Sequence, residues 1–293
     1  MAVVLIARNL KLLYTTAKVR LGFLIMACAL AGVAVSPAGT LSPLQLTVLG
    51  LAVLASSAAS GAFNQLYERD TDARMKRTRK RPFVTGRFRA DAGWMWGIGA
   101  VLAASVAAAA WAGNGLAALY IFLGAFTYGI IYTVWLKRRT WWNIVIGGLS
   151  GSFAVLAGAA AVGATLQPAP VILAIVLFLW TPPHFWALAF ACRQDYEAAG
   201  IPMLPVVVEP HIASNAILGH AVALVLLSLS LAFFGMGWLY LACAALGGAY
   251  FIVASVRLVR QPTVAQGWKT FGASIVQLGL LLTGAILDNL LPT

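Results

Sequence analysis

Long apolar runs recur from one end of this chain to the other, and they limit what it can fold into. Each run reaches roughly 17 residues or more, which is enough for a helix to cross a ~30 Å hydrocarbon core. Of the 293 residues, 61% are hydrophobic and only 10% are charged, whereas soluble domains carry roughly 25% charged residues. The chain is therefore predicted to be an all-α polytopic membrane protein.

Short Gly- and Pro-containing segments separate the apolar runs and give about nine predicted helices. We expect these helices near residues 21–36, 45–66, 93–113, 116–135, 142–163, 170–191, 215–234, 237–257 and 270–290. The three cysteines lie far apart in apolar surroundings, and none has CxxC spacing. This pattern supports neither a zinc site nor a disulfide framework.

The basic residues predict how the helices cross the membrane. With this helix count, all 20 Lys and Arg fall before the first helix or in alternate loops. Because cytoplasmic loops carry an excess of Lys and Arg, the N-terminus is expected in the cytoplasm and the C-terminus outside. The net charge of +12 is explained by such bases lying near anionic lipid, and we expect no nucleic-acid partner.

An acidic stripe beside a cationic cluster follows the second apolar run. Asn64, Glu68 and Asp72 are spaced four residues apart, so on a helix they form one oxygen-bearing stripe about 12 Å long. Seven Lys and Arg lie between Arg69 and Arg81. This combination suits a diphosphate that is held partly through Mg²⁺ and partly by direct contacts with the bases. The alternative is an amphipathic helix end in solvent.

A second polar group closes the sixth apolar run. The Pro182-Pro183 pair is expected to break the helix at membrane depth, next to His184. Asp195 follows at the same predicted level as Asp72. Acids on two helices that face one cavity form a candidate site for two Mg²⁺ ions on one diphosphate. For His184, a hydrogen-bonded structural role remains the alternative to a functional one.

Several segments together carry a family resemblance. They are Asn64–Asp72, Arg77–Pro82, Tyr132 with Lys137 and Arg138, Trp142–Gly148, Pro183–Ala189, Asp195-Tyr196 and Ala199–Val206, which reads AGIPMLPV. The first of these resembles the aspartate-rich motif of the intramembrane (UbiA-type) prenyltransferases. The AGIPMLPV string resembles one branch of that superfamily, the protohaem IX farnesyltransferases or haem O synthases.

The resemblance implies a single domain over residues 1–293, with about nine transmembrane helices around a central cavity. It also implies a cytoplasmic segment 1–20 and cytoplasmic active-site loops 67–92 and 192–214. The implied reaction transfers the farnesyl group of farnesyl diphosphate to a vinyl group of haem B, with addition of water, to give haem O. The implied cofactor is Mg²⁺, the implied location is the bacterial cytoplasmic (inner) membrane, and a downstream haem A synthase or oxidase assembly is an implied partner.

The resemblance also assigns roles to individual residues. The Mg²⁺-binding catalytic set is Asn64, Glu68, Asp72 and Asp195; the diphosphate-binding set is Arg69, Arg77, Arg81, Lys137 and Arg138; the acceptor-pocket set is Tyr128, Tyr132, His184 and Trp186. Two positions depart from the pattern. Glu68 stands where the motif usually has Asp, and Ala199 stands where many members of the superfamily have a second acid. The second metal site is therefore the less complete of the two.

Two other functions remain open on the sequence. A prenyltransferase acting on a quinone precursor would keep the acidic stripe but has no reason to keep the 183–205 segment. A secondary transporter would also carry charges near a broken helix, but transporters usually show internal repeats around a site at the midplane. Release of pyrophosphate from farnesyl diphosphate and haem separates an enzyme from a transporter.

The charge pattern generates a prediction about topology. A reporter fused after Thr293 is expected to be periplasmic, and one inserted near Arg79 is expected to be cytoplasmic, because all basic residues map to one side. Fusions to alkaline phosphatase and green fluorescent protein measure this directly. If both reporters lie on the same side, the helix count is wrong by an odd number.

Overall fold

The computed structural model describes residues 2–37 and 39–289, with side chains from residue 9 onward. All regular structure in this part of the chain is helical. The α-helices are α1 (Ala2–Thr16), α2 (Val19–Ala34), α3 (Pro43–Tyr67), α4 (Arg69–Asp72), α5 (Ala92–Ala112), α6 (Gly115–Phe126), α7 (Asn143–Gly147), α8 (Leu149–Ala161), α9 (Pro168–Ala191), α10 (Arg193–Ala198), α11 (Leu204–Val207), α12 (Pro210–Leu229), α13 (Trp238–Arg260) and α14 (Val264–Asp288).

The predicted all-helical membrane architecture is confirmed. Eight helical stretches are long and apolar enough to span a membrane, and a ninth is formed if α1 and α2, which meet at a 48° bend, count as one span. The predicted helix near 21–36 corresponds to α2. Residues 1–20, which the sequence marks only as a charged segment, are helical from Ala2 to Thr16.

Two membrane helices depart locally from regular α geometry. A third helix, α9, stays regular where the sequence predicts a break. A π-helix from Thr127 to Leu136 continues α6, and a 3₁₀ turn from Ser230 to Phe234 continues α12. Helix α9 instead runs unbroken across Pro182 and Pro183. The prediction of a broken helix there is therefore wrong. Both prolines are buried in the bundle, where packing against neighbouring helices offsets the lost backbone hydrogen bonds.

Small residues allow the helices to approach closely. A side chain added at Gly32 of α2 would collide with the Val155 carbonyl of α8, and one added at Gly158 of α8 would collide with the Ala29 carbonyl of α2. Since lipid is as apolar as the helix surfaces, helices in a membrane associate mainly through such packing. The α2–α8 contact therefore fixes one wall of the bundle.

Loops that carry basic residues meet at one end of the bundle. Lys18 before α2 contacts Asn64 at the end of α3, and Lys137 after the π-helix contacts Glu68. The 76–77 segment contacts Asp195 after α9. This arrangement agrees with the charge pattern, but the orientation of this end toward the cytoplasm stays a prediction. Thr293 lies outside the described residues.

The α2–α8 contact generates a prediction about stability. We expect Gly158→Ala to lower the thermal unfolding temperature in detergent, although alanine favours helix by about 1 kcal/mol. The reason is that the added methyl group meets the Ala29 carbonyl. Gly219→Ala in α12 is the matched control, because nothing lies near its added methyl group. Equal unfolding temperatures for the two variants would contradict close packing at Gly158.

Candidate active site

The predicted oxygen-bearing stripe is present at the end of α3. The Glu68 amide donates to the Asn64 carbonyl at 3.0 Å, and the Asp72 amide donates to the Glu68 carbonyl at 2.8 Å. The backbone therefore keeps helical register while α3 passes into α4. The side chains of all three residues are buried, with residue exposures of 2%, 1% and 0%. Burial excludes the alternative of a helix end that projects into solvent.

Both acids of the stripe are paired with a base. Lys137 forms an ion pair with Glu68, and the Arg81 guanidinium lies 2.6 Å from Asp72 Oδ2. Burial by itself would raise the pKa of the Glu68 carboxyl, but the nearby Lys137 holds that pKa below its ordinary value. The carboxylate is therefore ionised, as a metal ligand or a partner of a cation must be.

The bases line one end of a central cavity of about 320 Å³. The basic and amide side chains on this cavity are Lys18, Asn64, Arg77, Arg81 and Lys137. Away from them, the wall becomes apolar and includes Cys28, Val53, Ile121, Ala154 and Leu177. A cavity that is cationic at one end and apolar along its depth is complementary to a molecule with an anionic head and a hydrocarbon tail.

Asp72 supplies the observation that tests whether Mg²⁺ fits. Its Oδ2 accepts from Arg81, whereas its Oδ1 is buried without a hydrogen-bond partner among the described residues. An unpaired buried carboxylate oxygen is costly unless something else binds it. Carboxylate and amide oxygens are the donors that Mg²⁺ prefers, so the stripe fits this ion. No group of three His, Cys, Asp or Glu side chains converges within the described part of the chain.

Of the four predicted ligands only Asn64 lines the central cavity; Glu68 and Asp72 lie behind the bases Lys137 and Arg81 that they hold, and Asp195 binds the loop backbone. Its two carboxylate oxygens accept from the backbone amides of Lys76 and Arg77 at 3.1 and 3.0 Å. Its side chain does not line the central cavity, although Arg77 and the neighbouring Tyr196 do. Asp195 thus holds the basic loop against the end of α9. Direct metal ligation by Asp195 stays a prediction.

The structure divides the five bases assigned to the diphosphate. Arg77, Arg81 and Lys137 line the cavity. Arg69 instead donates to the Leu66 carbonyl, and its side chain is 45% exposed. Arg138 is also exposed, with its guanidinium over the Tyr67 ring. The structure therefore does not bring Arg69 and Arg138 to the cavity.

The four residues assigned to the acceptor pocket are divided as well. Tyr128 and Tyr132 line the cavity and stack on each other with ring centres 5.6 Å apart. His184 does not line it. Its Nδ1 lies 2.7 Å from Ser274 Oγ.

The His184 ring is also stacked on both faces. The ring centres of Trp180 and Phe271 lie 4.2 and 4.6 Å from it. Trp186, also outside the cavity lining, is buried against His220. The surroundings of His184 therefore fit a structural role, because its ring is hydrogen-bonded and packed on both faces.

Lys18 is a site residue that the sequence analysis missed. Its Nζ donates to Asn64 Oδ1 at 2.6 Å and to the Tyr128 hydroxyl at 2.9 Å. It occupies the break between α1 and α2 with φ of 50°, a left-handed conformation that non-glycine residues rarely adopt. The Gln65 amide stabilises this break by donating to the Thr15 and Thr16 carbonyls. In the sequence, Lys18 is indistinguishable from a base that sets topology.

Comparison with known proteins agrees with this geometry. The profile of the UbiA prenyltransferase family matches residues 25–281. A protein of Paramagnetospirillum magneticum named protoheme IX farnesyltransferase 2 is 55% identical over 283 residues, which are 97% of this chain and 98% of that protein. Protoheme IX farnesyltransferase 1 of the same organism is 44% identical and covers 93% of this chain and 96% of its own.

Solved structures share the fold. A UbiA homologue from Aeropyrum pernix aligns with a TM-score of 0.75 and 19% identity, covering 92% of this chain and 98% of that one. A UbiA homologue from Archaeoglobus fulgidus, solved with DMAPP and Mg²⁺, aligns with a TM-score of 0.66 and 20% identity, covering 93% and 98%. The secondary-transporter alternative has no support from these comparisons. The chain belongs to the UbiA prenyltransferase family.

Proposed function

We propose that this protein transfers the farnesyl group of farnesyl diphosphate to a vinyl group of haem B, with addition of water, to give haem O and diphosphate. The observation that carries this proposal is the central cavity, whose cationic end continues into an apolar interior. The names of the relatives at 55% and 44% identity support farnesyl as the donor and protohaem as the acceptor. We also propose the bacterial cytoplasmic membrane as its location, with a haem A synthase or oxidase assembly step downstream.

The cavity orients the donor. The diphosphate lies against the bases Lys18, Arg77, Arg81 and Lys137, and the farnesyl chain extends along the apolar wall. The bond between C1 of farnesyl and the diphosphate oxygen breaks, and the oxygen keeps the electron pair. The vinyl group then forms a bond to C1, water adds to the other vinyl carbon, and one proton is released.

The bases stabilise the charge that develops on the leaving diphosphate. Glu68 and Asp72 hold Lys137 and Arg81 in place before substrate arrives. Preorganised charges of this kind lower a barrier more than mobile ones, because they need no reorganisation during the reaction. Asn64, Glu68 and Asp72 would also hold Mg²⁺, which when bound neutralises further charge on the diphosphate.

Aromatic side chains around the reacting end protect the allylic cation. Tyr128 and Tyr132 line the cavity next to the bases, with their ring centres 5.5 Å from Lys18 Nζ and Lys137 Nζ, respectively. Aromatic faces attract cations, and a closely packed aromatic wall keeps stray water from C1. Both effects favour attack by the vinyl group over hydrolysis of the donor.

Two measurements test the proposed function. Purified protein should release pyrophosphate from farnesyl diphosphate only when haem B and Mg²⁺ are also present. Mass spectrometry of haem extracted from cells that express the protein should show conversion of haem B to haem O. Pyrophosphate release with a quinone precursor, and none with haem, would assign the chain to another prenyltransferase activity.

Asp72 generates the first prediction about activity. Asp72→Asn should lower pyrophosphate release by at least about 100-fold, because it removes the charge that binds both Arg81 and the metal. Asp70→Asn is the matched control, since Asp70 is 79% exposed and lies 3.8 Å from Arg69. We expect both variants to fold. Near-normal turnover of Asp72→Asn at saturating Mg²⁺ would remove Asp72 from the ligand set.

Lys18 generates the second prediction, which concerns binding of the donor. Lys18→Met keeps the apolar part of the side chain but removes the amino group that would bind the diphosphate, so farnesyl diphosphate should bind about tenfold more weakly. Lys11→Met, at an exposed position on α1, should bind the donor normally. Isothermal titration calorimetry in detergent measures both. Equal affinities would show that Lys18 does not contact the diphosphate.

A further inference from the structure

A second concavity lies beside the central cavity, at the same end of the bundle. It measures about 700 Å³ and is formed by the end of α9, by α10, by the start of α14 and by the basic loop. Its apolar lining includes Phe190, Pro205, Val264 and Trp268, and its basic lining includes Lys76 and Arg193. We call this concavity the loop groove.

The loop groove and the central cavity adjoin each other at Arg77, which lines both spaces. Next to this contact, Leu188 and Tyr196 line the cavity, while Phe190 and Asp195 line the groove. A molecule in the groove therefore lies next to the cationic end of the cavity, where the donor diphosphate would be held. This neighbourhood is where an acceptor must be placed to reach C1.

The chemistry of the loop groove fits a flat, apolar molecule with carboxylates on one edge. Val264 is 58% exposed and Trp268 is 44% exposed, so an apolar surface is available at an opening in the bundle. No hydrogen bond or ion pair of the Lys76 side chain occurs within the described residues, and Arg193 is shared only with Glu197 and the Val206 carbonyl.

The negative charge of Asp195 in the groove is already satisfied. Its carboxylate accepts from two backbone amides. Asp195 therefore does not compete with an anionic ligand for the Lys76 side chain, while Arg193 keeps its ion pair with Glu197.

We propose that the loop groove binds the porphyrin acceptor, with its two propionates at Lys76 and Arg193 and its vinyl edge toward Arg77 and the cavity. This inference rests on the proposed function, because it names the site of the second substrate. In the proposed function the central cavity takes the farnesyl chain, and the loop groove is a second space that adjoins it at Arg77. The groove of about 700 Å³ lies in the range of roughly 300–1,000 Å³ that small-molecule sites occupy.

The opposite edges of protoporphyrin IX explain the division of bases. Its propionates and its vinyl groups lie on opposite sides of the macrocycle. Lys76 and Arg193 line the groove but not the cavity, whereas Arg77 lines both. Propionates held at the outer bases direct a vinyl group toward Arg77 and the cavity. The structure thereby separates the bases that serve the acceptor from those that serve the donor.

The test compares Lys76→Glu with Lys80→Glu in the full-length protein in detergent. Lys76 and Lys80 are both exposed on the same loop, but Lys80 lines neither space. Protoporphyrin IX is the probe, because its own fluorescence reports binding without iron ligation. We expect Lys76→Glu to weaken its binding about tenfold, through loss of one charge pair and gain of repulsion. Lys80→Glu should bind it like the unmodified protein.

Two controls separate the possible results. The dimethyl ester of protoporphyrin IX, which lacks both carboxylates, should bind Lys76→Glu and Lys80→Glu equally. Farnesyl diphosphate should bind both variants with equal affinity and should not displace the porphyrin. Equal protoporphyrin IX affinity in the two variants, or competition between porphyrin and farnesyl diphosphate, would overturn the proposal.

The proposed function can fail separately. Suppose that the unmodified protein forms haem O and that Lys76→Glu and Lys80→Glu have the same KM for haem. The proposal that the loop groove binds the acceptor is then wrong, and the proposed function stands. If the unmodified protein binds protoporphyrin IX in a Lys76-dependent way but forms no haem O, the groove stands and the function is wrong.

Discussion

A layer of buried charge at one end of the bundle controls the rest of the site. Glu68 holds Lys137, which is 69 residues away in sequence, and Asp72 holds Arg81, which is nine residues away. Removing two charges from water costs several kcal/mol per ion unless the pair is close and well hydrogen-bonded. The ends of three helices must therefore stay in register for the pairs to survive, and this requirement gives the cavity its shape.

This charge layer serves chemistry more than stability. Replacing a buried ion pair by apolar residues is often neutral or stabilising, so a bundle selected only for stability has little reason to keep one. The Asp72 Oδ1 without a partner points the same way, since it leaves capacity for an additional ligand. A diphosphate that enters finds the bases oriented and most of the desolvation already complete.

The sequence predicted the positions of the helices more completely than it predicted the residues of the site. Apolar runs separated by Gly and Pro located most ends of the spanning helices to within about three residues, because length and hydropathy decide them, whereas α12 begins five residues and α14 six residues before the predicted start. The stripe from Asn64 to Asp72 was predictable because its spacing matches the period of a helix. Lys18 was not, since its role depends on a 48° bend and on contacts with residues far along the chain.

The predicted helix break next to His184 is absent for a related reason. Local rules for proline predicted a break, whereas tertiary packing keeps α9 continuous. The histidine ring then meets Ser274, which is 90 residues away in sequence. Such long-range contacts leave no local pattern, so an ionisable residue in an apolar run does not by itself locate a substrate. Arg69 and Arg138 do not line the cavity because their side chains turn outward, and their predicted contact with the diphosphate stays a prediction.

The hydrogen bonds from Gln65 to the carbonyls of Thr15 and Thr16 have a consequence for how this site can change. Gln65 fixes the break that presents Lys18, and its neighbour Asn64 receives the Lys18 ammonium group. Substitutions at these three positions share partners, so their energetic effects cannot be additive. A new residue at any one of these positions therefore changes which residues the other two can accept without loss of these hydrogen bonds.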